Sequence, residues 1–442
     1  MSRSFTILSM KKKILLILLA GSTTLLSACN LEGGLPINSN SQQTSSSSSS
    51  NSSGSFSSEE EEGWVYFNVE NDDAQEKTIK NLISANGTSS NNKVLYRITG
   101  IVQCIKNTSY GNFDLLDDTG FIHVYGCAKS NYSISKSGDT YSYSSSTKFN
   151  EMNIKPGDKI VMEGLYSYYT GSGGISQFNG YCVSLKRNGE STEAFKAKSY
   201  DTAEPTNAAG NYYSSIDSSD SGSALMTKLH NLMDTTHTNY ITYDSLFNHY
   251  KNSDAYPNGN VKCFYSGTNA YNKSYNREHV WAQSLSNSLF GTDHAGSDLH
   301  HVRPAKSEYN SMRSNAVFGP IFGAKTGANK IAYEKGGSCY GTRYVFEPAD
   351  AIKGDVARII MYVYVHYSTG AGGNSQSYYG PLYFSSIMGS LNSTECISLL
   401  RKWNAEDPVS QDEITRNNYA YSVQNNRNPF IDHPKYADRI WG

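Results

Sequence analysis

Residues 275–281 read YNREHVW and residues 297–319 read SDLHHVRPAKSEYNSMRSNAVFG, and these two stretches decide the fold of the second half of the chain. Four of the ten histidines lie in this region: His279, His294, His300 and His301. A zinc protease needs two histidines one helical turn apart in an HExxH pattern, and the sequence has no such pattern. The pattern instead predicts a strand that ends near the acid–histidine pair at Glu278, a second strand, and a helix that begins at Pro304 and carries Asn310.

Three blocks of sequence resemble the signatures of the bacterial extracellular endonuclease I family. They are NREH at residues 276–279, DLHHVRP at 298–304 and YNSMRSN at 309–315. The resemblance continues in the same order through DVAR at 355–358, WN at 403–404 with DP at 407–408, and NRNPFID at 426–432. It therefore covers roughly residues 200–442 and implies a mixed α/β nuclease domain with a ββα-metal (His-Me finger) active site. Members of that family cut DNA, and often RNA, with little sequence preference.

The resemblance also implies roles for three residues. Glu278 and Asn310 stand at the positions of the family's metal ligands, and His279 stands at the position of its general base. The residue types fit this chemistry, because carboxylate and amide oxygens are hard ligands suited to Mg²⁺, with Mn²⁺ or Ca²⁺ as alternatives. An imidazole near its ordinary pKa of about 6.5 can take a proton from water at neutral pH. Hydrolysis would leave 5′-phosphate ends, as it does in the family.

Two arginines are candidates for stabilising charge on the phosphate. Arg313 lies three residues after Asn310, so both would share one helical face, and Arg303 leaves the strand before that helix. Some family members use an arginine in an insertion between the two motifs, but this chain has none between Arg277 and Arg303. A structural salt bridge is therefore the alternative role for both Arg303 and Arg313.

Five further residues of these motifs are predicted to support the metal ligands or the base. They are Asn276, Arg277, Asp298, His300 and His301. One of the two adjacent histidines would orient His279 or a metal-bound water, and the other would pack. The sequence does not distinguish between them.

The N-terminal residues read as an export signal. Three lysines at 11–13 precede a short apolar run, and the sequence Leu26-Ser27-Ala28-Cys29 resembles a bacterial lipobox. We predict a signal peptide over residues 1–29, lipidation of Cys29, and a start at either Met1 or Met10. The alternative is an ordinary cleaved signal in which Cys29 is incidental. Residues 30–63 are rich in Ser, Asn and Glu, a composition typical of a flexible tether.

Residues 64–195 show strand patterns, with apolar and polar residues alternating between turn signals such as those at 117–120 and 155–158. The arrangement of strands and turns resembles the oligonucleotide-binding OB-fold, a small β-barrel. Residues 70–86 are predicted to form a helix packed beside it. Six aromatic residues are candidates either for stacking nucleic-acid bases or for ordinary packing: Tyr110, Phe113, Tyr125, Tyr166, Tyr168 and Tyr169.

Charge and composition exclude several classes of protein. The chain has 38 Lys and Arg against 40 Asp and Glu, which excludes a polybasic binder. Residues 261–330 nevertheless carry eight basic and four acidic residues, a local excess that suits a polyanion such as nucleic acid. No apolar run reaches the roughly 20 residues of a membrane span, which excludes a multi-pass membrane protein. Beyond Cys29, six widely spaced cysteines remain without a CxxC pair, and we predict no disulfide.

We therefore predict an α+β multidomain protein, with an OB-like β-barrel followed by a ββα-metal nuclease domain over residues 200–442. It would act as a monomer on DNA, with RNA as a second candidate substrate, without a protein partner. It would be secreted, or anchored by lipid on the extracellular face of the bacterial cell membrane. Two alternatives stay open: a surface nucleic-acid-binding or adhesion lipoprotein with a vestigial nuclease site, and a zinc hydrolase that uses the histidine cluster.

Overall fold

The computed structural model describes residues 63–144, 147–171, 173–188, 195, 199–206, 209–270, 274–286, 290–368, 382–388 and 392–442. The predicted signal peptide, the lipidation of Cys29 and the tether up to residue 62 lie outside the described residues. The described residues belong to one compact unit that begins at Glu60. Among them, no helix combines the length and the apolar character that crossing a membrane would require.

The first part of this unit is almost entirely strand. Its elements are β1 (Trp64–Tyr66), β2 (Gln75–Glu76), α1 (Ile79–Asn86), β3 (Asn91–Asn107), β4 (Asn112–Leu116), β5 (Phe121–Ala128), β6 (Ile134–Ser137), β7 (Thr140–Tyr143), β8 (Lys159–Tyr169) and β9 (Ile175–Lys186). Strands β3, β4, β5, β9 and β8 pair in that order, and β8 pairs back with β3, so the pairing forms a closed cycle. All pairs in the cycle are antiparallel except β5 with β9.

The interior of this sheet explains the alternation seen in the sequence. Apolar side chains from the paired strands, among them Ile98, Phe113 and Phe178, are fully buried in one cluster. Two of the six aromatic candidates for stacking therefore belong to the core, since Phe113 packs against Phe149 and Tyr166 is buried. Tyr110, Tyr125 and Tyr169 are exposed.

Helix α1 is shorter than predicted. Residues 70–86 were expected to be helical, but the helix begins only at Ile79, and β2 occupies residues 75–76. Thr78 caps the helix by accepting a hydrogen bond from the amide of Asn81. Asp117, in the turn between β4 and β5, accepts from the amide of Ile79 at 2.8 Å. The start of the helix is thus fixed by a residue 38 positions away, which local periodicity does not report.

The second part mixes helices with short strands. Its elements are α2 (Gly222–Thr236), α3 (Leu246–Ser253), β10 (Val261–Lys262), β11 (Asn269–Ala270), β12 (Tyr275–His279), β13 (Val302–Lys306), α4 (Ser307–Arg313), β14 (Val317–Phe318), β15 (Asn329–Ala332), β16 (Ser338–Gly341), β17 (Val345–Glu347), α5 (Lys353–Tyr367), α6 (Phe384–Ile387), α7 (Ser393–Glu406), α8 (Gln411–Gln424), α9 (Pro429–Asp432) and α10 (Tyr436–Trp441). The prediction of a mixed α and β chain is confirmed. The domain boundary between residues 195 and 200 stays a prediction.

Helix α5 lies at the centre of the second part, and nearly all of its residues are buried. It carries the buried Arg358, which donates to both carboxylate oxygens of Glu413, at 2.6 and 2.8 Å. Glu413 also accepts from the amide of Ser410 and so closes the capping box that begins helix α8. One carboxylate therefore joins the core helix to the start of α8.

The two parts share a packed boundary. Cys104 and Leu116 from the strands form one apolar cluster with Val317, Ile321 and Val345. The side chain of buried Gln103 donates to the carbonyl of Phe322 at 2.9 Å and accepts from its amide at 3.0 Å. Because a side-chain amide matched to both backbone groups of one residue fixes position and orientation, this boundary holds the two parts together.

Candidate active site

A two-stranded sheet and a helix carry the predicted catalytic residues. Strand β12 pairs antiparallel with β13, with Glu278 opposite Arg303 and His279 opposite Val302. Helix α4 follows at once, from Ser307. The helix does not begin at Pro304, as the sequence predicted, because Pro304 lies inside β13. A proline has no N–H for a sheet, and it is tolerated here because a strand of a two-stranded sheet has an unpaired edge.

Glu278, His279, Asn310 and Arg313 line a single cavity of about 460 Å³. Successive residues of a strand face opposite sides, so Glu278 and His279 can share a site only where the strand ends. His279 is the last residue of β12, which meets this condition. Asn310 comes from helix α4 on the same cavity wall.

The hydrogen bond of His279 fixes which ring nitrogen carries the proton. Nε2 lies 3.0 Å from the carbonyl oxygen of Gly296. A carbonyl can only accept, so Nε2 must donate, and the neutral ring keeps its lone pair on Nδ1. The ring also stacks against Tyr243, with centroids 5.8 Å apart. The structure therefore provides an imidazole held in one orientation with Nδ1 as its proton acceptor.

Burial changes the acidity of His279. It lowers the pKa of His279 to about 3, with a smaller contribution from His301. This pKa is well below the ordinary imidazole value that the residue type alone predicts. The imidazole is neutral at pH 7 and able to accept a proton. A bound phosphate anion would raise its pKa, because a nearby negative charge favours the protonated form.

Glu278 is almost fully buried at the bottom of the cavity. Its Oε1 accepts a hydrogen bond from the Tyr265 hydroxyl at 2.7 Å and lies 3.5 Å from the Arg313 guanidinium. Burial raises the pKa of Glu278, although Arg313 and Tyr265 act in the opposite direction. A carboxylate that lines a cavity together with the Asn310 side chain fits a hard divalent cation.

The guanidinium of Arg313 is occupied by the protein itself. Arg313 is buried and donates to the carbonyl oxygens of Val280 at 2.7 Å and His279 at 3.4 Å. It also lies over the ring of Phe318, 4.6 Å from the centroid. Arg313 therefore holds the end of β12 in place and supplies the counter-charge of Glu278.

Arg303 is placed away from the cavity. Its guanidinium lies 3.4 Å from Asp254 and over the ring of Phe264. Asp254 also pairs with the buried Arg416 of helix α8. Arg303 thus takes part in a salt-bridge network outside the cavity, which is the alternative role that the sequence left open.

Arg277 lines the cavity, although the sequence analysis gave it only a supporting role. Its guanidinium stacks 3.6 Å from the centroid of Tyr243 and donates to Asp244 at 2.9 Å. Asp244 is almost completely exposed, so this pair is weakened by solvent and open to competition. Asn276 is exposed on β12 and does not line the cavity.

The two adjacent histidines have different surroundings. His301 accepts from the amide of Trp281 at 3.0 Å and donates to the carbonyl of Ala295 at 2.6 Å. His301 therefore fixes the loop at Ala295. The next residue, Gly296, accepts the hydrogen bond from His279. His300 instead faces the C-terminal segment, where its Nε2 donates to the carbonyl of Asn426 at 3.1 Å. Burial lowers the pKa of both His300 and His301 to about 4.

Asp298 is the centre of a buried polar network behind the loop. Its carboxylate accepts four hydrogen bonds, from Tyr362, Tyr367, Gln424 and the amide of His300. Neighbouring histidines lower the pKa of Asp298 against the effect of burial. The ligand atoms of His237, Asp298 and His366 lie within 4.8 Å of one another, a grouping that could hold a metal ion. The four hydrogen bonds already occupy the lone pairs of Asp298, so a cation there would have to compete with them.

Sequence reasoning missed several residues of the site. Tyr265 and Tyr243 were not singled out, because the chain has 34 tyrosines and nothing in their local sequence marks them. His237 and His366 come from positions before and after the motif region, and only the fold brings them to Asp298. For Gly296, the functional atom is a backbone carbonyl, which no side-chain pattern can reveal.

Comparisons with known proteins agree with the motifs. Residues 212–435 match the family described as Endonuclease I. The chain is 36% identical over 271 residues to a protein named extracellular ribonuclease in Bacillus amyloliquefaciens, covering 57% of this chain and 84% of that protein. It is 34% identical over 242 residues to a protein of the same name in Bacillus subtilis (strain 168), covering 50% of this chain and 75% of that one.

Proposed function

The chain belongs to the endonuclease I family, and from this premise we propose that it is a secreted, metal-dependent endonuclease that cuts RNA and DNA without sequence preference. The observation that carries the proposal is the cavity shared by His279, Glu278 and Asn310. A base with its lone pair on Nδ1 and two oxygen ligands on one wall are the groups that phosphodiester hydrolysis needs.

His279 is the general base of this reaction. Its Nδ1 takes a proton from water, and the resulting hydroxide oxygen forms a bond to phosphorus. The bond between phosphorus and the 3′ oxygen breaks, and that oxygen takes a proton from solvent. The products are a free 3′-hydroxyl and a 5′-phosphate. The hydrogen bond to Gly296 keeps the ring in this orientation throughout the reaction.

Glu278 and Asn310 are the proposed ligands of the divalent cation, with Mg²⁺ as the ion and Mn²⁺ or Ca²⁺ as substitutes. When bound, the cation would neutralise charge on the scissile phosphate and on the departing oxygen. Arg313 opposes the rise in the pKa of Glu278 that burial causes. Arg277, on the cavity wall, is the cation proposed to contact the incoming phosphate.

The choice of substrate rests on the relatives and on charge. Both relatives are named extracellular ribonuclease, which supports RNA as a substrate. The local excess of basic residues between 261 and 330 suits either nucleic acid and predicts binding that weakens with salt.

The remaining parts of the proposal concern residues before 200. The closed cycle of five strands with one parallel pair supports an OB-fold over residues 64–195. The Leu-Ser-Ala-Cys29 sequence supports a lipid anchor on the outer face of the cell membrane. The protein would act there as a monomer.

The test is a cleavage assay with the chain from residue 30. It should degrade plasmid DNA and RNA in Mg²⁺, and a chelator should stop the reaction. His279→Ala should reduce cleavage at least about 100-fold while nucleic-acid binding persists. A matched control is His433→Ala, since His433 lies outside the cavity.

Other outcomes would point to the alternatives. Intact substrates in Mg²⁺, Mn²⁺ and Ca²⁺, with binding retained, would identify a surface nucleic-acid-binding protein instead of a nuclease. Cleavage retained by His279→Ala would assign the base to another residue. Stoichiometric zinc in the purified protein would favour a zinc hydrolase.

A further inference from the structure

One exposed tyrosine, one half-buried tyrosine and two exposed basic side chains meet where the two parts of the molecule join. Lys106 comes from β3, Tyr125 from β5, and Arg343 and Tyr344 from the turn before β17. The Lys106 ammonium lies 5.9 Å and the Arg343 guanidinium 5.7 Å from the centre of the Tyr344 ring. We call Lys106, Tyr125, Arg343 and Tyr344 the junction platform.

Buried His123 connects the two tyrosines of the platform. Its ring packs edge-on against Tyr344, with centroids 4.9 Å apart, and against Tyr125 at 6.1 Å. Its Nε2 lies 3.4 Å from the Tyr344 hydroxyl. Both tyrosines therefore pack against the same buried ring, although they come from different parts of the chain.

Asp114 holds the turn in place from below. This buried carboxylate accepts from the Thr342 hydroxyl and from the Tyr344 amide, both at 2.7 Å. Its role explains why a strand of the first part carries a fully buried acid. These hydrogen bonds fix the turn that carries Arg343 and Tyr344, and a preorganised turn loses less entropy when a ligand binds.

The basic groups of the platform are available to a ligand. Lys106 and Arg343 are exposed, and neither forms an ion pair with an acidic residue in the part of the chain that the structure describes. Tyr125 is 56% exposed. An exposed ring beside cations that have no acidic partner is suited to single-stranded nucleic acid, since a base can stack on Tyr125 and phosphates can pair with Lys106 and Arg343.

The platform lies close to the proposed catalytic cavity. Asn315 lines the cavity, and two residues later the Val317 amide donates to the Tyr344 carbonyl at 2.9 Å. The chain covers two residues from Asn315 to Val317, and Tyr344 is bonded to Val317 at the spacing of neighbouring strands. The Cα atoms of Asn315 and Tyr344 are therefore at most about 13 Å apart. A strand whose scissile phosphate lies in the cavity would therefore need only a few nucleotides to reach the platform.

We propose that the junction platform is a second binding site for the substrate, which holds the single-stranded nucleic acid a few nucleotides from the cleavage point. This inference deepens the proposed function and rests on it for the identity of the strand. It assigns the first part of the molecule a role in holding long substrates, through Lys106 and Tyr125.

The test measures binding of fluorescein-labelled oligo(U) and oligo(dT), each of 20 nucleotides, to the chain from residue 30 in EDTA. Tyr125→Ala should weaken binding at least fivefold for both, because stacking is tolerant of base identity. In the double variant Lys106→Ala/Arg343→Ala, the logarithm of the association constant should fall less steeply with the logarithm of the salt concentration. The magnitude of this slope should decrease by about 1.4, which is about 0.7 for each lost phosphate contact. Matched controls are Tyr132→Ala and Lys93→Ala, which replace exposed residues outside the platform.

A cleavage assay separates this inference from the proposed function. The platform variants should raise KM for long RNA and leave cleavage of a four-nucleotide substrate unchanged. Wild-type affinity and salt slope in all platform variants, with normal cleavage, would overturn the platform alone. Absence of cleavage by the wild-type protein in any metal would overturn the proposed function, while the EDTA binding results would still decide for or against the platform. Circular dichroism and melting temperature would show that each variant is folded.

Discussion

At the scale of single residues, the site depends on contacts that place a proton or a charge. The Gly296 carbonyl fixes the proton of His279 on Nε2, and the Tyr265 hydroxyl and Arg313 support the charge of buried Glu278. Glu278 needs this support for the proposed role as a metal ligand, because burial alone would favour its protonated form, which binds a cation poorly.

Replacement of Tyr265 by Phe tests this support. The variant loses the hydrogen bond to Glu278 Oε1, so the pKa of Glu278 should rise further and its affinity for a cation should fall about tenfold. Mn²⁺ binding measured by electron paramagnetic resonance would report the change directly. A metal titration of the cleavage rate would report it independently.

Tyr250→Phe provides the matched control. Tyr250 is also fully buried, but its hydroxyl has no hydrogen-bond partner among the described residues. Removing that hydroxyl should leave metal affinity unchanged and stability unchanged or slightly higher. Equal metal affinity in the two variants would show that Tyr265 does not position Glu278.

At the scale of elements, helices α5 and α8 hold the loop that precedes β13. Arg416 and Gln424 of α8 contact the backbone of this loop, at the Leu299 carbonyl and the Leu299 amide respectively. The position of α8 depends in turn on the buried pair between Arg358 and Glu413. The two strands and helix α4 are therefore supported by a salt bridge whose own partners, Arg358 and Glu413, are 55 residues apart in sequence.

Glu413→Gln should therefore lower the free energy of unfolding by about 3–5 kcal/mol, because it leaves Arg358 buried without its main counter-charge. The measurement is urea denaturation at pH 7. Glu406→Gln is the control, since Glu406 pairs with Lys402 on an exposed face at 3.8 Å and should contribute less than about 0.5 kcal/mol. A loss below about 1 kcal/mol for Glu413→Gln would contradict the structural role of the pair.

At the scale of the whole molecule, the two parts share an apolar cluster and the hydrogen bonds of Gln103 and Asp114. Separation of the two parts would expose Val317 and Val345 and leave the Phe322 backbone unpaired. Such a boundary favours joint unfolding, because neither part keeps its full set of contacts alone.

Thermal unfolding of the chain from residue 63 should consequently show one transition. Calorimetry would test this, with the calorimetric enthalpy equal to the van't Hoff enthalpy as the expected result. Two resolved transitions would show that the strands of residues 64–195 and the helices after residue 200 unfold separately.

The buried histidines predict how stability depends on pH. Burial lowers the pKa of His279 to about 3 and the pKa values of His300 and His301 to about 4. In the unfolded chain these groups return to about 6.5 and bind protons first as the pH falls. Their contribution is therefore complete above about pH 6.5 and is lost progressively as the pH falls towards about 4, with a limiting slope of about 1.4 kcal/mol per pH unit for each histidine.

Urea midpoints at pH 7, 6 and 5 would measure this slope. His301→Gln removes one of these histidines, so the slope of the unfolding free energy against pH should fall by the contribution of about one proton. The comparison is made after subtracting the lower stability of the variant at pH 7. Stability that stays constant between pH 7 and pH 5 would contradict the neutral, buried state of these histidines.

Local patterns predicted a large part of this fold. Alternation located strands β3, β4, β5, β8 and β9, and the continuous apolar run located α5 as a buried helix. Both patterns succeed because side-chain periodicity depends only on neighbouring residues. The start of α1 and the start of α4 were predicted wrongly, because a distant carboxylate fixes the first and sheet pairing with β12 includes Pro304 in the second.

From the sequence alone follow the order strand, strand, helix and the residue types of Glu278, His279 and Asn310 within it. The position of the proton on His279, the different surroundings of Arg313 and Arg303, and the contact of Lys106 with Tyr344 become visible only in the folded chain. The physical reason is that motif spacing is set along the chain. Hydrogen-bond partners, burial and electrostatic neighbours are set by residues that meet only after the chain has folded.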